Sequence, residues 1–342
     1  MKALLLAAGE GRRLRPLTHL LPKPLIPVLD IPLIEFSLAA LAEAQVSEVV
    51  ANAYHLAEKM QAYLGERESA LPVELVTETT LLGTGGAVSN VRGHLEGAPF
   101  LIANADVLHG IDLGAAVAAF EKDKPLATLL LRDEGWQQAG GFWAHEDGRI
   151  GGYLAPGETP PPGAKAGLFT GLHVLSPEIL KELPPAQVFC IVQEVYRPLL
   201  EKGAPVRAQF VSDAPWDDLG TPERYLAASA ALLANLDGDD LLATRTRRML
   251  QARGYESIEP GVWTPHAWVC PENPEMQGPA FVGQDVTVGY DVQIGPGAIV
   301  GAGSRLDDDT SLERCIVWPD THVRGHDWKD RIFYEGRKSL GA

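Results

Sequence analysis

Lys2-Ala3-Leu4-Leu5-Leu6-Ala7-Ala8-Gly9-Glu10-Gly11-Arg12-Arg13-Leu14-Arg15-Pro16-Leu17-Thr18 runs near the amino terminus. Residues 3–6 have the short apolar run of a buried strand, and the two glycines that follow mark a turn. Glycine lets backbone N–H groups approach phosphate oxygens closely, and arginines stand immediately behind. The same string also reads as a tight turn carrying surface arginines, and taken alone it does not choose. Two common nucleotide motifs are excluded. The dinucleotide fingerprint would place a third glycine where Leu14 stands, and no Gly-x-x-x-x-Gly-Lys-Ser/Thr loop occurs.

Outward from this stretch, apolar runs at 3–6, 48–53, 73–76, 100–103, 126–131 and 168–175 alternate with amphipathic segments such as 34–44 and 56–64. Strand alternating with helix predicts an α/β fold with a parallel sheet covered on both faces. Ligands of such sheets bind beyond the carboxyl ends of the strands, so functional residues should stand just after them. The pattern loosens around residues 236–255 into one helix bearing Arg245, Arg247, Arg248 and Arg253, which reads as a solvated connector.

From Val282 a different period begins. Val282, Val288, Ile294, Val300, Leu306 and Leu312 recur every six residues, with Val286, Val292, Ala298, Ser304 and Thr310 four places after successive members. Gly283, Gly289, Gly295 and Gly301 directly follow the apolar residue. One inward apolar side chain and one small corner residue per hexad is the requirement of a parallel β-helix. A stack of a few coils has an open end, which a neighbouring stretch of chain or a second subunit must cover.

The formal charge of −16 over 342 residues disfavours nucleic acid and anionic membranes as partners, and no stretch of about 18 apolar residues reads as a membrane span or signal peptide. Positive charge is concentrated between Gly11 and Leu29, where Arg12, Arg13, Arg15 and Lys23 occur without an acidic residue. A small polyanion such as a triphosphate fits that pattern. Cys190, Cys270 and Cys315 are too scattered for a zinc site or disulfide framework, and the cytoplasm is the expected compartment. His19, His55 and His173 read as structural.

The longer string, from Gly9 to Thr18 and then Pro22-Lys23-Pro24-Leu25, resembles the signature of the sugar-1-phosphate nucleotidyltransferases, Gly-x-Gly-(Ser/Thr)-Arg-Leu-x-Pro-Leu-Thr followed by Pro-Lys-Pro-Leu. The resemblance implies catalytic, phosphate-contacting roles for Arg13 and Lys23, with Ala7, Ala8, Gly9, Gly11 and Arg12 around the nucleotide. Arg12 departs from the usual Ser or Thr. Leu82-Gly83-Thr84-Gly85-Gly86-Ala87 is similar to the loop that approaches base and ribose, which implicates Gly83, Thr84 and Gly85. Asn104-Ala105-Asp106 resembles the segment whose aspartate binds Mg²⁺, with Asn104 toward the nucleotide. Trp216-Asp217-Asp218-Leu219-Gly220-Thr221-Pro222 resembles the second metal segment, with Asp218 as the matched carboxylate and Asp217 its adjacent competitor. Phe169-Thr170-Gly171 is similar to a sugar-pocket strand, so Thr170, Gly171 and Gly141 are sugar-site candidates. The family's Glu-Lys-Pro is replaced by Ala155-Pro156-Gly157, leaving Glu158 or Lys165 to substitute.

The resemblance implies a Rossmann-like nucleotidyltransferase domain at 1–235 with a mainly parallel sheet, a connector at 236–260, and a short left-handed parallel β-helix with tail at 261–342. The implied reaction joins a nucleoside triphosphate to a sugar 1-phosphate with release of pyrophosphate. GTP and mannose 1-phosphate are the favoured pair, and UTP or dTTP with glucose 1-phosphate or a related sugar the alternative. A silent nucleotide-sugar-binding regulatory subunit is the alternative class. A second, acyl-transferring site would want a histidine within the hexads, and His322 lies beyond them. The coils are therefore expected to serve homo-oligomer assembly and to be removable with little effect on nucleotide chemistry.

Overall fold

The apolar run near the amino terminus forms the strand Lys2–Leu6, with Ala3, Leu4 and Leu5 fully buried. Burial on both faces is the condition of a central strand in a parallel sheet. Lys2–Leu6 lies between Glu48–Ala53 and Phe100–Asn104, parallel to both, and Val73–Thr77 extends the sheet beyond Glu48–Ala53. The computed structural model describes residues 1–67, 71–336 and 338–342. They divide into two units. One gathers Met1–Glu10, Ser37–Asp106 and Ile111–Trp216, the other Gly11–Phe36, Val107–Gly110 and Asp217–Ala342. This division differs from the expected boundary near residue 235, because the arginine-bearing loop leaves its strand after Glu10 and packs with the carboxy-terminal third.

In the first unit the sheet is mixed. The eleven-residue strand Lys165–Leu175 runs antiparallel to Phe100–Asn104, Ala127–Arg132 and Gly141–Ala144, and Val206–Phe210 adds parallel to Ala127–Arg132. Leu4, Val50, Ile102, Leu129 and Leu131 belong to one core with Phe142 and Tyr196. His173 is buried in that core and its Nδ1 meets the Tyr196 hydroxyl. Burial pushes its pKa down to about 3, which keeps it neutral and structural. The helix Leu113–Asp123 starts where Asp112 accepts the Ala115 N–H, and it buries Leu113, Ala116 and Phe120 along one face.

In the second unit, Pro27–Val28 and Ile31–Pro32 form a hairpin whose two turn residues, Leu29 and Asp30, both have positive φ (52° and 57°), the geometry of a type I′ turn. Two helices follow after residue 216: Pro222–Ala234, capped by Thr221, and Leu241–Ala252, capped by Asp240. The second helix is not a solvated connector. Leu242, Ala243, Thr246 and Leu250 are buried, and so is Arg245, whose guanidinium donates to the His109 carbonyl oxygen. The tract carries its arginines for carbonyl binding: Arg247 likewise donates to the carbonyls of Leu236 and Gly238.

The hexads form short parallel strands stacked at a spacing of 18 residues: Ala280 on Ala298, Thr287 on Arg305, Gln293 on Ser311. Three sequence-separated sides per 18 residues make the arrangement compatible with a β-helix. All six periodic apolar residues are buried, with Ala298, Ser304 and Thr310 fully so. The spacing contracts to 17 at Ile299 on Ile316 and Arg305 on His322. Antiparallel hairpins bound one side of the stack, Tyr255–Glu259 against Val262–Pro265 at its start and Lys338–Gly341 against Trp328–Tyr334 at its end. On that side, this chain supplies its own cover.

Candidate active site

The carboxyl edge of the first unit's sheet is held by a buried relay. The Ala7 N–H donates to Asn52 Oδ1 at 2.8 Å, Asn52 Nδ2 donates to Glu78 Oε1 at 2.7 Å, and Glu78 Oε2 accepts the Leu82 N–H at 3.0 Å. Asn52 and Glu78 are both buried. The relay fixes the exit of the first strand to the loop that opens the helix Gly83–Asn90. Neither residue was flagged by sequence; a polar residue closing each of two neighbouring apolar strands was the available signal. Gly9 is exposed, and a Cβ there would meet nothing within 4 Å beyond its chain neighbours, so a close approach of the fold does not explain its glycine.

The glycines at 83–86 have a different reason. A Cβ on Gly85 would strike the Phe189 ring at 2.2 Å, and one on Gly86 would lie 2.1 Å from the Gln187 carbonyl oxygen. The Gly85 N–H already donates to Phe189 O, and Thr84 Oγ1 accepts the Ile191 N–H. Gly85 is thus a packing glycine beneath residues 187–191, while Gly83 and Thr84 are exposed.

Asn104 ends its strand with its carbonyl accepting the Ser37 hydroxyl, and Asp106 follows two residues later. Opposite Asn104, the register of Lys165–Leu175 slips between Phe169 and His173. Gly171, with φ 81°, occupies this bulge, and a Cβ there would lie 2.3 Å from Asn104 Nδ2. Bulges re-aim side chains beside sites. The Thr170 hydroxyl is consumed in holding the bulge: it is buried, donating to Leu130 O and accepting the Leu172 N–H. Gly141 is buried with Gly167 O 2.3 Å from where its Cβ would be. The Thr170 hydroxyl and the close approach at Gly141 are thus both engaged within the fold. Glu158 is exposed and accepts the Ala155 N–H of its own loop, and Lys165 pairs with Asp133 at 3.0 Å.

In the second unit, the signature loop is a chain of three 3₁₀ turns, Arg12–Leu14, Leu17–His19 and Lys23–Leu25. Gly11 has φ 57°, its carbonyl accepts the Thr18 hydroxyl at 3.0 Å, and a Cβ on it would lie 2.7 Å from the Thr18 methyl. Leu14, Leu17 and Ile26 are buried, which turns Arg12, Arg13 and Arg15 outward. Lys23 is 6% exposed, and its ammonium donates to the Asp218 carbonyl oxygen.

Asp218 is where this loop's charges meet. Its Oδ1 accepts the Gly220 N–H at 3.0 Å and pairs with Arg224 Nη1 at 2.6 Å; its Oδ2 faces Arg13 Nη2 at 3.6 Å. Asp217 pairs with Arg224 Nη2 at 3.0 Å and accepts the Leu219 N–H. Arg224 was not anticipated; a basic residue in the first turn of a helix is its signal, since helix dipoles favour acids there. For Mg²⁺, the donor chemistry fits: Asp218 offers a partly exposed carboxylate. Mg²⁺ is bound in that manner, by one or two carboxylates with water and substrate phosphates.

Comparison with known proteins places the chain in a family. The nucleotidyl transferase family model matches residues 2–235. Mannose-1-phosphate guanylyltransferase of Mycobacterium tuberculosis is 29% identical over 323 residues, covering 94% of this chain and 80% of its own length. UTP–glucose-1-phosphate uridylyltransferase of Synechocystis is 27% identical over 347 residues, covering 94% and 86%. Among solved structures, HddC from Yersinia pseudotuberculosis complexed with GMP-PN has a TM-score of 0.56 at 20% identity over 67% of this chain and 98% of its own, a likeness of fold. With the family match spanning residues 2–235 and the likeness to such enzymes running on through the stacked strands, the chain belongs to the nucleotidyl transferase family and is a sugar-1-phosphate nucleotidyltransferase.

Proposed function

We propose that the chain makes GDP-mannose from GTP and mannose 1-phosphate, with Mg²⁺ as cofactor. The observation that carries this choice is the likeness to the Mycobacterium tuberculosis guanylyltransferase across 94% of the chain, stacked strands included. A UTP-dependent reaction on glucose 1-phosphate is the second reading, favoured by the Synechocystis relative of equal coverage.

An oxygen of the sugar phosphate attacks the α-phosphorus, the bond to the β-phosphate breaks, and pyrophosphate leaves. The attacking group is already anionic, so no protein nucleophile or general base is needed; the barrier is the approach of two polyanions. Arg13 has its guanidinium exposed to take charge on the departing pyrophosphate. Lys23 donates to Asp218 O and is thereby fixed in direction before a phosphate arrives. Space at Gly9 admits a phosphate to the backbone. Gly83 and Thr84 face solvent and are assigned to the base; Asn104 and Gly171 are assigned to the ribose and sugar side. Asp106 and Asp218 would hold Mg²⁺, which when bound neutralises phosphate charge and aligns the reacting groups.

The test is pyrophosphate release from GTP, UTP, dTTP, ATP and CTP against a panel of sugar 1-phosphates. GTP with mannose 1-phosphate is expected to give the highest kcat/KM. A higher value for UTP with glucose 1-phosphate would replace the first reading with the second.

A further inference from the structure

Arg224 is the third residue of the helix Pro222–Ala234, after its Thr221 cap, and Thr221 Oγ1 accepts the Arg224 backbone N–H. At that place the helix dipole opposes a cation, and the residue that completes a capping box there is Glu or Gln. What the arginine gains is a fork: one guanidinium nitrogen on Asp218 and the other on Asp217, at 2.6 and 3.0 Å. Arg13 approaches the remaining oxygen of Asp218, and Gly220 makes room for it, since a Cβ there would lie 2.9 Å from both Arg13 Nη2 and Asp218 Oδ1. Two carboxylates and two guanidiniums thus form a neutral quartet around the proposed metal ligand.

A divalent cation taking Asp218 must displace Arg13 and one arm of the Arg224 fork, which leaves the two guanidiniums sharing Asp217 within the quartet and short of one anion. A triphosphate supplies that anion. We propose that Arg224 is a positioning residue that keeps Asp218 closed to free divalent cation and yields it only when nucleotide phosphates are present to receive the displaced guanidiniums. Metal and nucleotide then bind cooperatively, with a coupling carried by the Arg224–Asp218 pair. This rests on the reading of Asp218 as a metal ligand.

The experiment uses Mn²⁺ as probe, with binding to the full-length chain followed by electron paramagnetic resonance of free Mn²⁺, with and without GTP and in the absence of sugar phosphate. Wild type is expected to bind Mn²⁺ weakly alone and at least about tenfold more tightly with GTP. Arg224→Gln is expected to bind Mn²⁺ alone at least about tenfold more tightly than wild type and to lose most of the coupling to GTP. Arg224→Lys, which keeps the charge without the fork, should restore part of the coupling. A melting temperature and circular dichroism spectrum matching wild type certify that each variant is folded. Unchanged Mn²⁺ affinity and unchanged coupling in Arg224→Gln overturn the latch. Asp218→Asn tests the underlying reading separately: it should abolish GTP-dependent Mn²⁺ binding, and if that binding persists, Asp218 is not the ligand and the latch falls with it.

Discussion

Arg13 has 68% of its side chain open to solvent, against 42% for Arg224 and 29% for Asp218. A group so exposed contributes little to folding, so Arg13→Ala should slow pyrophosphate release at least about a hundredfold while leaving the melting temperature within a few degrees. A coupled phosphate assay and a thermal melt decide this; release at the wild-type rate would remove Arg13 from the chemistry. Asp106→Asn should cut the rate by about a hundredfold or more and raise the Mg²⁺ concentration for half-maximal rate, a titration that a merely structural aspartate would leave unshifted. Arg13, Lys23 and Asp218 were legible because two short motifs name them, the first two in the string from Gly9 to Leu25 and the third in 216–222, and the structure brings those three together. Arg224, Asn52 and Glu78 were not, because their partners are set by folding rather than by spacing.

The hairpin 27–32 shows how an element can carry a titrating group. The Asp30 carboxylate accepts the Ala302 N–H at 2.9 Å and the Tyr255 hydroxyl at 3.2 Å, with Asp320 adding repulsion and Arg253 near the tyrosine. Burial raises its pKa from 3.8 to about 6. The folded state therefore holds more protons than the unfolded chain between those values, and stability falls as pH rises through that window. Asp30→Asn keeps an acceptor oxygen and tolerates the left-handed turn. It should flatten the slope between about pH 4 and 6 and, partial exposure allowed for, add on the order of 1–2 kcal/mol near pH 7.5. Urea unfolding across pH measures both, and a variant less stable at pH 7.5 would refute the burial cost. The glycine run at 83–86 taught a different lesson: its sequence looked like a ligand loop, but Gly85 and Gly86 are small because residues 187–191 cross them. A contact a hundred positions away leaves no local trace.

Across the molecule, the six-residue period was plain in the sequence because each hexad repeats the same inward apolar position, and the strand–helix alternation was plain for the same reason. What stayed hidden was the partner of the stack. Leu14, Leu17 and Ile26 of the signature loop and Leu29 and Ile31 of the hairpin after it share one core with Trp263, Phe281, Ile299, Ile316 and Trp318. The Tyr225 hydroxyl donates to Pro27 O and accepts from Trp318 Nε1. The stack is thus packed into the core that carries the signature loop. Deleting residues 259–342 strips the loop of that core, and losses of this kind cost several kcal/mol per large side chain. The truncated chain should lose pyrophosphate release and expose apolar surface to a dye such as ANS; a soluble truncation of wild-type activity would show that the loop stands without its support.

That shared core also sets the unit of inheritance. For an exchange of carboxy-terminal portions between relatives, the end of the family match near residue 235 offers itself as the cut. Here such a graft would part Leu29 and Ile31 from the aromatic residues that share their core, so a working chimaera must transplant Gly11–Phe36 and Val107–Gly110 along with the stack, as one cargo carried in three pieces of the gene.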